Sequence, residues 1–425
     1  MSTYLYRFIL YPLLFILAHI YALFNKKIRK ALRKRYSVLG EARQIRKRSS
    51  ARPVLIHTAS MGEFEHVKPL IKTLKKRYNR PVIITFFSPS GFEFINNHED
   101  VDGFLYLPFD FTQTVKKFYS ILEPQMVIIA KHDVWINQVL VARKMNIPVY
   151  LINASLGATS SRTGWLARRI LKPAYESLTG IYAISKDDAQ TFKQYFNRAE
   201  VKAIGDTKFD QVLIRKEQAL KKQLLPPGWE RDAFVIVLGS IWKEDSAKIL
   251  NPLKKLMKKY PKIKTIAVPH DPSKEFVSML SKELNDIGVR LYSEVQKDFT
   301  ERILLVDRIG ILADLYKYAH LAFVGGSFKQ GIHNVMEAAV YGIPVLYGPT
   351  HQNASEAVRL CKTGGGFVFN TAEEFENYVE RFLLNEAERK VAGQKTQQFA
   401  LDNINATEKL IKEWMGTVNL IPGSK

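Results

Sequence analysis

The chain has a single cysteine, Cys361, among its 425 residues, so no disulfide can form within it, as expected in a reducing compartment. It also lacks a Gly-x-Gly-x-x-Gly fingerprint and a P-loop, which argues against a dehydrogenase and against a P-loop enzyme. No cluster of His and Cys residues has the spacing of metal ligands. We therefore expect no cofactor and no metal site.

Acidic residues are scarce, because the chain has 41 Asp and Glu against 63 Lys and Arg, a net charge of +22. Residues 25–48 alone hold eleven basic residues and one acid, Glu41. Nucleic-acid-binding proteins usually spread such charge over a folded face or a recognition helix, and no zinc-finger or aromatic RNA-binding motif is present. A basic run beside an apolar segment favours anionic lipid instead. We predict an anionic membrane surface as a partner, and no nucleic acid.

The apolar segment next to this run is Phe8–Phe24, which only Pro12 and His19 interrupt. As a helix it would measure about 25 Å, slightly short of a hydrocarbon core of ~30 Å, unless it is counted from Tyr4 with Arg7 reaching the interface. No small-x-small cleavage site precedes the lysines, so a signal peptide is disfavoured. We predict an uncleaved anchor at residues 1–25 and a basic neck at 26–50, with the rest cytoplasmic. A helix lying in the membrane interface is the alternative.

Beyond the neck, apolar strand-like runs alternate with helix-length segments, which predicts parallel sheets in two Rossmann-like domains. We expect these domains at residues 51–217 and 231–400, a linker at 218–230 around Pro226-Pro227-Gly228, and a C-terminal helix and tail at 401–425. The predicted strands are Val54–His57, Val82–Phe87, Phe104–Leu107, Met126–Ala130, Val149–Ile152, Ile181–Ala183, Phe234–Leu238, Thr265–Val268, Ile303–Val306, Leu321–Val324 and Val345–Tyr347.

The stretch from Gly325 to Pro349, GGSFKQGIHNVMEAAVYGIPVLYGP, reads as a loop, a short helix and a strand that follow another strand. Glycines at the end of a strand let backbone N–H groups approach a ligand, and a helix N-terminus behind them favours an anion such as phosphate. An ordinary packing turn between strand and helix is an equally good interpretation of these residues alone.

The order of several short motifs is more specific than any one of them. They are His57-Thr-Ala-Ser-Met-Gly-Glu63, Thr85-Phe-Phe-Ser-Pro-Ser-Gly91, Leu107-Pro-Phe-Asp110, Trp135-Ile-Asn137, Asn153-Ala-Ser155, Gly205-Asp-Thr-Lys-Phe-Asp210, Gly325-Gly-Ser and His333-Asn-Val-Met-Glu337. In this order they resemble the transferases of Kdo (3-deoxy-D-manno-octulosonic acid) that act in lipopolysaccharide assembly. The resemblance covers nearly the whole chain, including the N-terminal anchor.

The resemblance implies an α/β chain with the GT-B glycosyltransferase fold, in which two Rossmann-like domains face a central cleft behind an N-terminal anchor helix. It implies transfer of Kdo from CMP-Kdo to a lipid A precursor at the inner membrane, with inversion and without a metal. The domain at 51–217 would bind the acceptor, and the domain at 231–400 the donor. The alternatives are another GT-B nucleotide-sugar transferase or epimerase, and an inactive membrane-surface binding protein.

The resemblance also assigns roles to residues. Glu63 matches the general base of the family, although Ser60-Met-Gly-Glu63 also reads as a helix capping box, and Glu65 is the reserve candidate. The expected donor-binding residues are Lys208, Gly239, Ser240, Gly325, Gly326, Ser327, Asn334, Glu337 and Asn353.

Two positions depart from the family pattern. Lys131-His132-Asp133 stands where a Glu-x-Glu is common, which puts a supporting carboxylate in doubt. His270 stands where an arginine is common, so a cation expected near the donor is replaced.

Overall fold

The computed structural model describes residues 2–89, 92, 98–157, 160–196, 200–295 and 299–415. Ser90 and Gly91, which end one of the predicted motifs, lie outside these ranges. The chain forms two compact units: Met1–Gln211 with the C-terminal segment from Ile404 make the first, and Val212–Asn403 makes the second. The predicted linker at 218–230 begins inside a helix, Lys208–Leu220, so the change from one unit to the next falls within that helix.

The first unit is built on a seven-stranded parallel sheet with the order β3-β2-β1-β4-β5-β6-β7. Its central strands are apolar on both faces because helices cover both, as in other wholly parallel sheets. The strands are β1 Val54–Thr58, β2 Val82–Phe86, β3 Gly103–Tyr106, β4 Met126–Ala130, β5 Val149–Ala154, β6 Gly180–Ala183 and β7 Glu200–Ala203.

The first unit begins with a nearly continuous N-terminal helix. A π-helical turn at Tyr6–Leu10 precedes Pro12, which has no N–H to offer a regular helical bond. Asn25 then interrupts the helix, and its side chain caps the next one by accepting from the N–H groups of Lys27 and Ile28 at 3.0 and 3.1 Å. The helices are α1 Ser2–Leu5, α2 Tyr11–Phe24, α3 Lys26–Arg46, α4 Met61–Lys76, α5 Thr112–Leu122, α6 Ile136–Lys144, α7 Trp165–Tyr175, α8 Lys186–Tyr195 and α9 Lys208–Leu220.

The second unit repeats the plan, with a seven-stranded parallel sheet ordered β10-β11-β9-β8-β12-β13-β14. Its strands are β8 Phe234–Ile241, β9 Ile263–Pro269, β10 Val289–Leu291, β11 Ile303–Leu305, β12 Leu321–Val324, β13 Val345–Tyr347 and β14 Gly366–Val368. Its helices are α10 Lys243–Lys259, α11 Lys274–Leu284, α12 Leu312–Leu315, α13 Met336–Ala339, α14 Ser355–Thr363, α15 Ala372–Leu384 and α16 Glu386–Asn403.

The last helix, α17 Ala406–Met415, packs on the sheet of the first unit. Trp414 is fully buried, and its ring centroid lies 5.4 Å from that of Tyr150. Asp210, at the end of the first unit, accepts from the N–H groups of Ala406 and Thr407 at 3.0 and 2.7 Å, which satisfies donors that the helix start leaves open. The C-terminal helix is thus part of the core of the first unit.

In open α/β sheets, ligands bind beyond the carboxyl ends of the strands, so a binding site is expected at that end of each sheet. In the first unit β1 lies between β2 and β4, so the loops after these strands meet. In the second unit β8 pairs with both β9 and β12, which brings Gly325 beside Gly239.

Candidate functional site

Glu63 lies at the carboxyl end of β1, in the first turn of α4. Its side chain is buried, and one oxygen, Oε2, accepts from the N–H of Ala59 at 2.5 Å. The N-cap residue Ser60 makes no side-chain capping bond, and Glu63 accepts from the residue before the N-cap, so the reciprocal pair of bonds of a capping box is not seen here. Glu65, the reserve candidate, pairs instead with Lys68 at 2.5 Å on the exposed face of the helix.

A His–Asp pair joins β1 to the loop after β4, with His57 buried and Asp133 partly buried. His57 Nε2 is 2.8 Å from Asp133 Oδ2, and His57 Nδ1 is 3.0 Å from the hydroxyl of Thr85. Burial alone would raise the pKa of Asp133, but the hydrogen bond from His57 and several smaller favourable interactions together outweigh burial and lower this pKa. Asp133 thus provides a carboxylate beside His57, two residues after the Lys131 departure. The sequence did not reveal this pair, because it depends on β1 lying beside β4.

Positive charge gathers at the same edge of the sheet. Lys131 directly follows β4 in a left-handed conformation, with φ of 64°. Burial, together with the charges of Lys131 and Lys208, lowers the pKa of His66 to about 3, so this imidazole is neutral at physiological pH. Lys208, which we expected at the donor, belongs to the first unit, where its Nζ is 3.9 Å from Asp206.

The glycine loop of the second unit is held by a buried carboxylate that the sequence reading missed. Asp245, in the first turn of α10, accepts from the N–H groups of Gly326 at 2.7 Å and Trp242 at 2.9 Å. Burial raises the pKa of Asp245 to about 6. The only signal in the sequence was an acid four residues after a strand end, which is typical of ordinary helix starts.

The two glycines are required by close packing. A Cβ on Gly325 would lie 2.2 Å from the carbonyl oxygen of Ser240, and Gly326 has a positive φ of 82°. The N–H of Gly325 donates to the carbonyl of Gly239 at 2.8 Å. Since the N–H of Gly326 is bound to Asp245, the N–H groups that we expected to face a phosphate are already used within the loop.

Two further predicted donor residues hold the fold together. The hydroxyl of Ser327 is buried, donates to the carbonyl of Val324 at 3.1 Å and accepts from the N–H of Gly348 at 2.7 Å. Asn353 makes a pair of 3.1 Å bonds to the backbone N–H and carbonyl of Ile332. Both side chains hold these loops in place, and the one hydrogen of the Ser327 hydroxyl is already donated to Val324.

Asn334 precedes α13 and Glu337 lies within it, and this helix is short, as predicted, with only four residues. Asn334 Oδ1 accepts from the N–H of Met336 at 3.1 Å, and its Nδ2 is 3.5 Å from Glu337. Glu337 is partly buried and lies 3.5 Å from the guanidinium of Arg215. Burial raises the pKa of Glu337, although the charge of Arg215 opposes this. A four-residue helix has a weak dipole, so it offers little attraction for an anion by itself.

Three aromatic rings stack beside the glycine loop. The centroid of His270 lies 4.4 Å from Trp242 and 4.3 Å from His333. Trp242 Nε1 donates to His333 Nε2 at 2.9 Å, so the proton of a neutral His333 lies on Nδ1. Burial, followed by the charge of His270, lowers the pKa of His333. The departure at position 270 therefore replaces a fixed cation by an exposed ring in a stack.

Comparison with known proteins gives the family. Residues 30–211 match the family described as 3-Deoxy-D-manno-octulosonic-acid transferase (kdotransferase). A 3-deoxy-D-manno-octulosonic acid transferase of Aquifex aeolicus is 30% identical over 341 residues, which cover 79% of this chain and 87% of the relative. The chain belongs to the Kdo transferase family. A Kdo transferase of Haemophilus influenzae is 26% identical over 94% of each chain.

The solved structures agree with the fold of a Kdo transferase. UDP-GlcNAc 2-epimerase from Neisseria meningitidis, solved with UDP-GlcNAc, has a TM-score of 0.59 and 15% identity, covering 86% of this chain and all of its own. At that identity the likeness concerns the fold alone. The predicted α/β class with GT-B architecture is confirmed, and the chain is a Kdo glycosyltransferase of lipopolysaccharide biosynthesis by family. Within the described ranges, no three His, Cys, Asp or Glu side chains cluster as metal ligands would.

Proposed function

We propose that this Kdo transferase moves Kdo from CMP-Kdo to a hydroxyl of a lipid A precursor, with inversion, and that Glu63 is the general base. The observation that carries the proposal is the position of Glu63, a buried carboxylate at the carboxyl end of β1 and the start of α4. A helix N-terminus stabilises the ionised carboxylate that a base needs. The exposed Glu65 has no such environment.

The chemistry requires one proton transfer. Glu63 Oε2 is held by the N–H of Ala59, so Oε1 is the oxygen that would take the proton from the acceptor hydroxyl. The acceptor oxygen then forms a bond to the anomeric carbon of Kdo while the bond from that carbon to the CMP oxygen breaks. CMP leaves as a phosphate monoester dianion, which needs no acid to protonate it, unlike the alcohol leaving groups of glycoside hydrolases.

Donor recognition is proposed for the second unit, with side chains rather than the glycine N–H groups as hydrogen-bond partners. The N–H on Nδ1 of His333 and the amide of Asn334 are donors suited to an anion, and Glu337 suits the two ribose hydroxyls. Gly239, Ser240, Gly325 and Gly326 would bring the backbone close to the ligand. Lys208, in the first unit, would contact an anionic group of the substrate near Glu63.

The acceptor is a lipid, which supports a location at the cytoplasmic face of the inner membrane. Thr3–Phe24 has the length and composition of a membrane-crossing helix, with a mean hydropathy of 1.8. The basic helix α3 that follows would add attraction to anionic headgroups.

The proposal is tested by assaying the full-length protein in detergent with CMP-Kdo, or with a UDP-sugar, and a lipid A precursor. Glu63→Gln keeps the side chain's size and an oxygen for the N–H of Ala59, so the protein should fold and bind CMP. Transfer should fall at least ~10²-fold, the low end of the loss when a general base is removed. The matched control, Glu65→Gln, should retain transfer. Wild-type activity of Glu63→Gln, or release of UDP rather than CMP, would refute the proposal.

A further inference from the structure

The apolar N-terminal helix is tied to the first unit by hydrogen bonds at its beginning. The hydroxyl of Tyr6 donates to the buried carboxylate of Asp110 at 2.7 Å, and the N–H of Asp110 donates to the hydroxyl of Tyr11 at 2.5 Å. Arg7 Nε donates to Asn137 Oδ1 at 2.6 Å. Hydrogen bonds of this kind leave the first turns of the helix on the protein and not inside a lipid core.

The other end of the helix is tied to the same surface. Ala22 is buried with Leu32 of α3 and with Phe109, which neighbours Asp110. His19 Nε2 lies 2.9 Å from the hydroxyl of Tyr36, so α2 and α3 run antiparallel as a helical hairpin. Both ends of α2 therefore contact residues 109–111, which immediately precede α5.

This arrangement conflicts with a membrane-spanning anchor. The part of the helix beyond its hydrogen-bonded turns, from Pro12 to Phe24, measures roughly 20 Å, which is too short for a ~30 Å hydrocarbon core. The antiparallel pairing of His19 with Tyr36 would also carry the basic first turns of α3 into the lipid. Charges at that depth are strongly unfavourable.

The face of α2 that turns away from the protein is apolar. Leu17 is 51% exposed and Phe24 83%, and Leu13, Ile16 and Ile20 continue the same stripe, while Phe8, in the π-helical turn before α2, is 71% exposed. From Leu13 onward the stripe repeats every three to four residues, opposite the face that carries Tyr11, His19 and Ala22. An apolar stripe of this kind on a helix fixed to a soluble unit indicates an interaction site.

The exposed side chains of α3 decide what covers that stripe. Lys26, Lys27, Lys30, Arg33 and Lys34 are all exposed, next to the C-terminal end of α2. Apolar side chains flanked by lysines and arginines are the pattern of helices that lie in an anionic membrane interface. A protein partner would need an acidic rim around an apolar groove, whereas an anionic bilayer presents both features everywhere.

We infer that Thr3–Phe24 does not span the bilayer but lies in its plane, as half of an amphipathic hairpin that docks the first unit onto anionic lipid. This rests on the proposed membrane location, and replaces the spanning anchor expected from the sequence. The apolar stripe would enter the boundary between headgroups and acyl chains, and the lysines of α3 would contact the headgroups.

The inference is tested by measuring the depth of single labels in vesicles. Cys361 is changed to Ser, and nitroxide labels are attached to Phe8→Cys, Leu13→Cys, Leu17→Cys or Phe24→Cys in the full chain. Proteoliposomes contain phosphatidylglycerol and phosphatidylethanolamine, and Leu384→Cys, exposed in the second unit, is the aqueous control. The depth of each nitroxide in the bilayer is obtained from the ratio of its accessibility to oxygen and its accessibility to a water-soluble nickel complex.

An in-plane helix predicts the same shallow depth, about 5–10 Å, at all four positions. Its N-terminal end should also react with a membrane-impermeant maleimide, at Tyr4→Cys, from the side on which Leu384→Cys reacts. A depth that rises to about 15 Å at Leu13 and Leu17 and falls at both ends would refute the inference, as would labelling of Tyr4→Cys from the opposite side.

Kdo transfer measured on the same proteoliposomes separates this inference from the proposed function. A uniform shallow profile without transfer would leave the docking mode standing and refute the proposed reaction. Transfer by a protein that does not bind these vesicles would support the reaction, while both the docking surface and the membrane location would be wrong.

Discussion

The buried carboxylate of Asp245 should make the stability of the protein fall as pH rises. Burial raises the pKa of Asp245 from an ordinary value of 3.8 to about 6 in the folded protein. The folded state therefore holds a proton that the unfolded state has lost between these values, and stability decreases with pH over that window. The full effect is about 3 kcal/mol, at 1.36 kcal/mol for each pKa unit.

The assay is urea unfolding of the full-length protein in detergent, for the wild type and Asp245→Asn. Between about pH 4.5 and about pH 7.5, ionisation of Asp245 should remove about 2 kcal/mol from the wild type, and this loss should be absent from the variant. An amide also adds a buried donor, which shifts the variant's stability equally at every pH. The readout is therefore the difference between the two pH slopes.

Asp286→Asn is the matched control in the same unit. Lys258 and Lys254 lower the pKa of Asp286 to about 2, so its contribution is lost only as the pH falls below about 4. Its unfolding curve should parallel the wild type over the measured range. Parallel curves for the wild type and Asp245→Asn would refute the reasoning, because Asp245 would then be ionised in the folded protein at no cost.

Three further predictions follow from the geometry. Trp414→Ala should lower the free energy of unfolding by about 3–5 kcal/mol, as truncation of a buried aromatic side chain does. Met415→Ala, at the exposed neighbouring residue, should lower it by less than about 0.5 kcal/mol, and urea titration measures both. Lys131→Glu should raise the KM for an anionic substrate at least tenfold, which is about the effect of losing one charged hydrogen bond. The change in kcat should be smaller, and steady-state kinetics would measure both constants. Glu337→Ala should weaken CMP binding roughly 10- to 150-fold by calorimetry, and an unchanged affinity would remove Glu337 from the nucleotide site.

The central strands could be predicted from the sequence because they are buried on both faces. Met126–Ala130, Leu321–Val324 and Val345–Tyr347 have the predicted bounds. The strands that were missed, Glu200–Ala203 and Val289–Leu291 among them, lie at or next to sheet edges and contain polar or charged residues. A strand at the edge of a sheet has a neighbouring strand on one side only and is partly exposed to solvent, so it lacks the apolar run that marks a central strand.

The site could be predicted in part, and the limit is physical. A strand followed by a helix start places Glu63 at the ligand-binding edge of a sheet, and this is readable from local pattern alone. The His57–Asp133 pair and the hydrogen bond from Gly326 to Asp245 depend on which strands lie side by side, and this cannot be read from a local pattern. Hydropathy likewise cannot distinguish an N-terminal helix that faces lipid on every side from one with Tyr6 and Tyr11 bonded to its own domain.

Two non-glycine residues near the carboxyl ends of strands have a left-handed backbone conformation. Asn153 and Ser240 both adopt a left-handed conformation, with φ of 52° and 53°, where β5 and β8 each lose register with a neighbouring strand. Such conformations cost free energy in a non-glycine residue and persist when surrounding contacts hold them. Asn153 bonds Thr207 twice, at 2.8 and 3.0 Å, and Thr207 in turn donates to the carbonyl of His66 at 2.6 Å. The strain at Asn153 is therefore offset by bonds that position Lys208, the residue after Thr207, at the sheet edge that carries Glu63.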